Sequence, residues 1–335
     1  MDLVLHIADE YLFDSVWARL VPFNDPLADD HSFLAGNTST IVTQPQSAWP
    51  RDHIPRQLLS LIVVTLVGIH LLYFIFAGLS FRLIFNHDMM RHPRFLKNQI
   101  RAEILSSLKA FPGMTLLTLP WFQAEVMGYS KLYDDVSEYG WFYLVFSVPL
   151  YASFLSILLH DAHMICMLSF LVFTDYLVYW VHRTLHHPML YKTFHKPHHK
   201  WIIPTPFASH AFHPVDGYLQ SVPYHLFIFL FPLHRWLYLG LFVFVNFWSI
   251  LIHDSDMITG HPLEHVINGP AHHTLHHLYF TVNYGQVPTR PLIAKFKPLI
   301  SYHQYFTWAD RAGGSYRQPE SHLDPSLEIP KEKTL

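Results

Sequence analysis

The sequence predicts an all-α integral membrane protein, and three observations carry that prediction. Of its 335 residues 51% are apolar and only 14% are charged, against roughly a quarter charged in an ordinary soluble chain. The apolar residues fall in long blocks rather than along one face of each helix, the pattern of segments surrounded by lipid. Histidine, with 27 residues, is the compositional outlier and gathers in short clusters. The net charge of −3 is bland, and no basic tract suits nucleic acid. The single cysteine, Cys166, lies in an apolar stretch. Disulfides, thiolate zinc sites and cysteine-held iron–sulfur clusters are therefore excluded, so a metal here must be held by nitrogen and oxygen.

The elements follow in chain order. Residues 1–57 read as a lumenal N-terminal segment without the basic n-region of a cleaved signal. Within it 21–56 is a Pro-, Asp-, Ser- and Thr-rich loop carrying the sequon Asn37-Thr38-Ser39. Residues 58–81 contain no Asp, Glu, Lys or Arg and suffice to cross a bilayer. Arg82, Arg91, Arg94, Lys97 and Arg101 follow, and the positive-inside rule assigns that side to the cytosol. A weaker stretch at 110–127, interrupted by Pro112, Pro120 and Glu125, reads as interfacial. Spans are predicted at 141–159 and 164–181, with His160 and His163 on the lumenal turn between them. Residues 223–252 form a membrane hairpin broken at Pro232-Leu233-His234-Arg235. The whole thus divides into helices and an interfacial segment over 58–181, a histidine-rich region over 182–317, and a cytosolic tail over 318–335. Lys331 and Lys333, fifth and third from the end, resemble a dilysine retrieval signal of the endoplasmic reticulum, which acts from the cytosol.

Three histidine boxes stand out: His182-x3-His186-His187, His195-x2-His198-His199 and His273-x2-His276-His277. Residues three and four apart share a helix face, so each box can aim two or three imidazoles at one point. Parity of the spans puts all three boxes on the cytosolic side. Isolated histidines are ordinarily solvated or satisfied within a core, which is the reading for His6, His31, His53, His70, His87, His92 and His303. Between or beside the boxes lie His210, His213, His253, His261, His265 and His272. Of these, His253 leaves an apolar helix on the cytosolic side and is the candidate tenth ligand.

Nine boxed histidines exceed the four ligands of a tetrahedral zinc. Two ions of higher coordination number fit the count. Two irons can gather the electrons needed to split O2 and attack an unactivated C–H bond, whereas zinc has no redox chemistry. The predicted class is therefore a helical membrane protein with a cytosolic-face di-iron site. No GxGxxG fingerprint and no flavin or haem motif is present, so electrons must come from a partner.

The order HxxxHH, HxxHH, HxxHH resembles the sterol desaturase and fatty acid hydroxylase superfamily of membrane di-iron enzymes. The words around the boxes resemble its fungal sterol C5(6)-desaturase branch more closely. They are His195-Lys-Pro-His-His-Lys-Trp201, Pro206-Phe-Ala-Ser-His-Ala-Phe-His-Pro-Val-Asp-Gly217, Gly269-Pro-Ala-His-His-Thr-Leu-His-His-Leu-Tyr279 and Trp308-Ala-Asp-Arg-Ala-Gly-Gly-Ser-Tyr-Arg317. The resemblance implies two Fe ions on the nine boxed histidines. It also implies a delta-7 sterol substrate, electrons from cytochrome b5 and its reductase, and a place in ergosterol synthesis.

One departure concerns residues 287–304, which separate Asn283-Tyr-Gly-Gln286 from Tyr305-Phe-Thr-Trp-Ala-Asp310, segments that normally follow one another in the family. Eighteen residues correspond to 54 nucleotides, the length of a short fungal intron, and Val and Gln codons can supply its GT and AG borders. The expectation is a retained intron. Two other functions remain open: a related di-iron lipid oxygenase such as a sterol C4-methyl oxidase or lipid hydroxylase, and a non-catalytic sterol- or metal-binding membrane protein.

Overall fold

The computed structural model describes residues 1–23, 46–135, 162–257, 259, 269–284, 310–311 and 313–330, with backbone only for 162–168. The chain divides into two compact units, Met1–Gly68 with Thr118–Tyr129, and Ile69–Leu117 with Ser130–Leu335. Several sequence expectations fall outside the described residues: the Asn37 sequon, the 141–159 span, His160, His261, His265, His303, the 287–304 segment and the terminal lysines.

In the first unit α1 (Asp2–Ala8) and α2 (Asp14–Leu20) are joined by a wide π-helical turn. Leu5, Phe13 and Trp17 pack with Leu61 and Phe122, contributed by two longer helices, α3 (Ile54–Leu83) and α4 (Gln99–Val126). Buried Arg56 holds this corner together by pairing with Asp9 at 2.9 Å and with Asp14. Paired in this way, a buried guanidinium avoids the penalty of an isolated charge. Among the described residues α3 alone is long and apolar enough to cross a membrane. Its exposed ridge of Leu59, Val63, Val67, Leu71, Phe74 and Leu79 offers a surface suited to hydrocarbon rather than water.

The interruptions at Pro112 and Pro120 do not end α4, which runs unbroken through both. A helix can pass through a proline at the expense of one backbone hydrogen bond. Gly113 lies where a Cβ would meet Pro214 at 2.7 Å, so the absence of a side chain lets α4 approach Pro214 closely.

The core of the second unit is built by α5 (Ala162–Leu185), α6 (Pro214–Leu230) and α7 (Arg235–Leu251). Phe170, Phe227, Ile228, Leu233, Tyr238 and Leu241 are buried where they meet. The chain turns between α6 and α7 at Pro232-Leu233-His234-Arg235. There β1 (Leu132–Tyr133) pairs in parallel with β2 (Leu233–His234), and Asp134 accepts two hydrogen bonds from Arg235 at 2.7 and 2.9 Å. A last helix, α8 (Pro270–Tyr279), starts at Pro270 in its first turn, where a missing N–H costs nothing. It ends at Phe280, in the left-handed region with φ 61°.

Candidate metal centre

Each box is carried by a different local geometry. His182 and His186 lie one turn apart at the end of α5, and the His186 N–H donates to the His182 carbonyl at 3.2 Å. The second box is not an α-helix. Residues Tyr191–His195 form a π-helical turn closed by Lys196 N–H to the Tyr191 carbonyl at 2.7 Å. Tight turns from His195 to His198 and His199 follow at 3.0 and 3.3 Å. A π turn widens the backbone and re-aims side chains, which is why such turns recur at functional sites. The third box lies on α8, where Ala271 through His277 are all buried.

The fold gathers nine imidazoles into two groups. His182, His186, His195, His199 and His276 form one; His198, His253, His273 and His277 form the other, with ligand atoms within 4.8 Å of one another in each. In the first group Nε2 faces Nε2 between His182 and His195 at 3.0 Å, His199 and His195 at 3.1 Å, His199 and His186 at 3.1 Å, His276 and His199 at 3.1 Å, and His186 and His276 at 3.2 Å. In the second, His273 approaches His253 at 3.0 Å and His277 at 3.1 Å, while His253 approaches His198 at 3.3 Å.

These contacts are not ordinary hydrogen bonds, because most of the donors are already spent. A carbonyl only accepts, so an imidazole nitrogen beside one carries the proton. Nδ1 of His182 donates to the Tyr284 carbonyl at 2.8 Å, that of His276 to Val282 at 2.7 Å, that of His277 to Trp201 at 2.9 Å and that of His253 to Ser249 at 2.5 Å. His195 Nδ1 donates to Asp216 Oδ2 at 2.8 Å, and Gln220 steadies the other carboxylate oxygen at 2.7 Å. Burial, reinforced by neighbouring imidazoles, holds the pKa of His198, His199, His273, His276 and His277 well below the ordinary histidine value, so these rings are neutral. His182 and His276 in the first group, and His253 and His277 in the second, are likewise held neutral with Nδ1 spent on carbonyls, and within each group they turn bare Nε2 lone pairs toward the same point.

Facing lone pairs repel unless a cation lies between them. A cation about 2.1 Å from imidazole nitrogens places neighbouring ligands about 3.0 Å apart at right angles and about 3.4 Å apart tetrahedrally. The observed spacings fall in that interval. The residues present thus fit two divalent metal ions, and nitrogen-rich donor sets suit iron among others. His198, His199 and His273 have no Nδ1 partner among the described residues. Packing orients two of them: His198 lies against Phe212, and His199 against Tyr191 and Phe280. Gly217 makes room for Phe212, whose ring edge lies 2.1 Å from where a Cβ would be.

One expected ligand is not brought in. His187 is exposed, and its Nδ1 accepts from Met189 N–H at 3.4 Å, capping the turn at Pro188–Leu190. The pattern HxxxHH aims only positions four apart at one point; the third histidine, one residue on, points elsewhere. His253 does join, in the second group. His210 hydrogen-bonds Ser209 and Asn246, His213 caps α6, and His272 faces Tyr316, all outside the groups. Missing from the sequence reading were Asp216 and the carbonyls of Trp201, Ser249, Val282 and Tyr284. Of these only Asp216 carried a signal, in the helix start His213-Pro-Val-Asp216.

Against known proteins, residues 167–291 match the family model described as Fatty acid hydroxylase. The chain is 45% identical to a Delta(7)-sterol 5(6)-desaturase of Gibberella zeae, covering 100% of this chain and 96% of that protein. The chain belongs to the sterol desaturase family. Within that family it is also 43% identical to a Delta(7)-sterol 5(6)-desaturase of Aspergillus fumigatus, over 100% of this chain and 96% of the other. Its identity to the human lathosterol oxidase is 45%, over 96% of this chain and 87% of the human one. No solved structure matches. The stretch matching the family model contains all three boxes, His253 and Asp216.

Proposed function

We propose that the chain is an O2-dependent sterol C5(6)-desaturase that introduces the C5–C6 double bond into delta-7 sterols on the route to ergosterol. The observation that carries this reading is the pairing of two buried imidazole groups with full-length similarity to Delta(7)-sterol 5(6)-desaturases. Two irons are assigned, one to His182, His186, His195, His199 and His276 and one to His198, His253, His273 and His277. Bound there, iron supplies the redox chemistry with O2. The reaction removes two hydrogens from the C5–C6 bond and reduces O2 to two waters. Two further electrons and two protons enter from outside.

The chain's own part is to hold, orient and exclude. Neutral imidazoles present bare Nε2 atoms, backbone carbonyls and Asp216 fix their tautomers, and burial keeps bulk water from the ligands. Removing hydrogens at one chosen bond is then a matter of positioning the sterol. Electrons are assigned to cytochrome b5 and its reductase. The setting is assigned to the endoplasmic reticulum membrane, crossed several times, with the site facing the cytosol. The electron donors rest on the family resemblance, and the membrane setting rests on the positive-inside reading after α3, the parity of the spans and the dilysine-like tail.

The test is expression, with and without residues 287–304, in a fungal strain lacking its own C5-desaturase, followed by the sterol ultraviolet spectrum. The expected result is return of the conjugated 5,7-diene absorption and its loss with His198→Ala. Rescue by the shortened form alone is expected if 287–304 is retained intron sequence. No diene from either form, in protein that reaches the membrane, would contradict the reading. The family model's own description favours hydroxylation as the second possibility, and a hydroxylated sterol without diene would support it.

A further inference from the structure

His182 is aimed by a backbone carbonyl, and a carbonyl has no side chain of its own to hold it in place. The structure shows what does. The Tyr284 amide, belonging to the same residue whose carbonyl receives His182 Nδ1–H, donates to Asp310 Oδ1 at 2.8 Å. Fixing one side of this residue aims the other.

Asp310 is fully buried and works as the hub of a small closed turn. Its Oδ1 also accepts from Ser315 Oγ–H at 2.7 Å, and its carbonyl accepts from the amides of Ser315 at 2.7 Å and Tyr316 at 3.1 Å. The same turn is fastened to the chain just before Tyr284. Asn283 N–H donates to the Ser315 carbonyl at 2.8 Å, while its side chain bonds both the N–H and the carbonyl of Arg317, at 2.7 and 2.9 Å. Asn283 adopts φ 52°, a left-handed conformation that asparagine tolerates better than most residues. On the other side Arg183, next to His182 on α5, donates to the Gly313 carbonyl at 3.0 Å. The turn thus ties α5, which carries His182, to the 282–284 segment, whose carbonyls orient His182 and His276.

We propose that Asp310 is a positioning residue for the first metal group, acting on His182 through the Tyr284 backbone, with Asn283 and Ser315 as its supports. The inference rests on the metal reading given above. Outer partners of ligating histidines typically influence metal affinity by about 10- to 100-fold, and Asp310 holds in place the residue whose carbonyl is such a partner of His182.

The experiment is a cobalt(II) titration of the full-length chain in detergent, followed by visible absorption, with His182→Ala and His273→Ala identifying which binding phase belongs to which group. Asp310→Ala is expected to weaken the phase that His182→Ala abolishes by about 10-fold or more. It should leave intact the phase that His273→Ala abolishes. Asp310→Asn keeps an oxygen to accept from Tyr284 N–H and is expected to retain near-normal affinity in both. Both phases unchanged in Asp310→Ala would overturn the proposal. If Asp310→Ala loses helical circular dichroism, Ser315→Ala is read in its place, with a smaller loss expected in the same phase and no change overturning the proposal. A wild-type chain that binds no cobalt would overturn the metal reading itself.

Discussion

Lone-pair direction decides what His182, His195 and their neighbours can do. Once Nδ1 of a neutral imidazole is committed to a carbonyl, Nε2 must accept, and several such atoms within 4.8 Å of one another suit a ligand set better than a hydrogen-bond network. Asp216→Ala removes the charged partner of His195 without touching any ring. Metal affinity of the first group is expected to fall by about 10- to 100-fold, measured by metal titration, while an unchanged affinity would contradict the role given to Asp216. Sequence reading found the boxes because histidines at four-residue spacing announce a shared direction. His253 was suggested only by its place after an apolar helix. The carbonyls of Trp201, Val282 and Tyr284 left no trace, since every residue has a carbonyl and only packing selects which ones face a ligand.

At the scale of elements, each box needed a backbone suited to its task. An α-helix end serves His182 and His186, a π turn ending at His195 and the tight turns after it place the second box, and a short helix buried around most of its circumference carries the third. The π turn was not legible, because its side-chain spacing is compatible with an ordinary helix. Nor was the continuity of α4 through Pro112 and Pro120, since a proline in the sequence reads as a break and only packing keeps the helix going. Glu103 is fully buried, accepts from Gln99 at 2.7 Å and from the Thr205 hydroxyl, and thereby pins the segment after the second box to α4. Desolvation pushes its carboxyl up to about 7 from an ordinary 4.5. The folded protein therefore holds this proton more tightly than the unfolded chain. Stability from this group is present in full below about pH 4.5 and is lost as pH rises through about 7, a change of about 3 kcal/mol. Glu103→Gln, which cannot ionise, is expected to flatten the pH dependence of thermal unfolding between these limits. A slope equal to that of the wild type would contradict the assignment.

For the whole molecule, composition and block hydrophobicity indicated helices, and among the described residues the regular elements are helices apart from the two-residue strands β1 and β2 and one isolated bridge, Pro22 with Ser47. The exposed apolar ridge of α3 matches the uncharged run at 58–81. Hydropathy did not foresee that residues 2–20 fold as helices, because Asp9 and Asp14 look like loop residues until Arg56 is brought against them. The central claim is that boxes far apart in sequence close around two metal ions. Iron per chain, determined for wild type, His182→Ala and His273→Ala purified in detergent from iron-replete cells, tests it most directly. Two irons are expected for the wild type, one for each group, and about one for either variant; a wild type with one or none, or variants that keep the full complement, would contradict it.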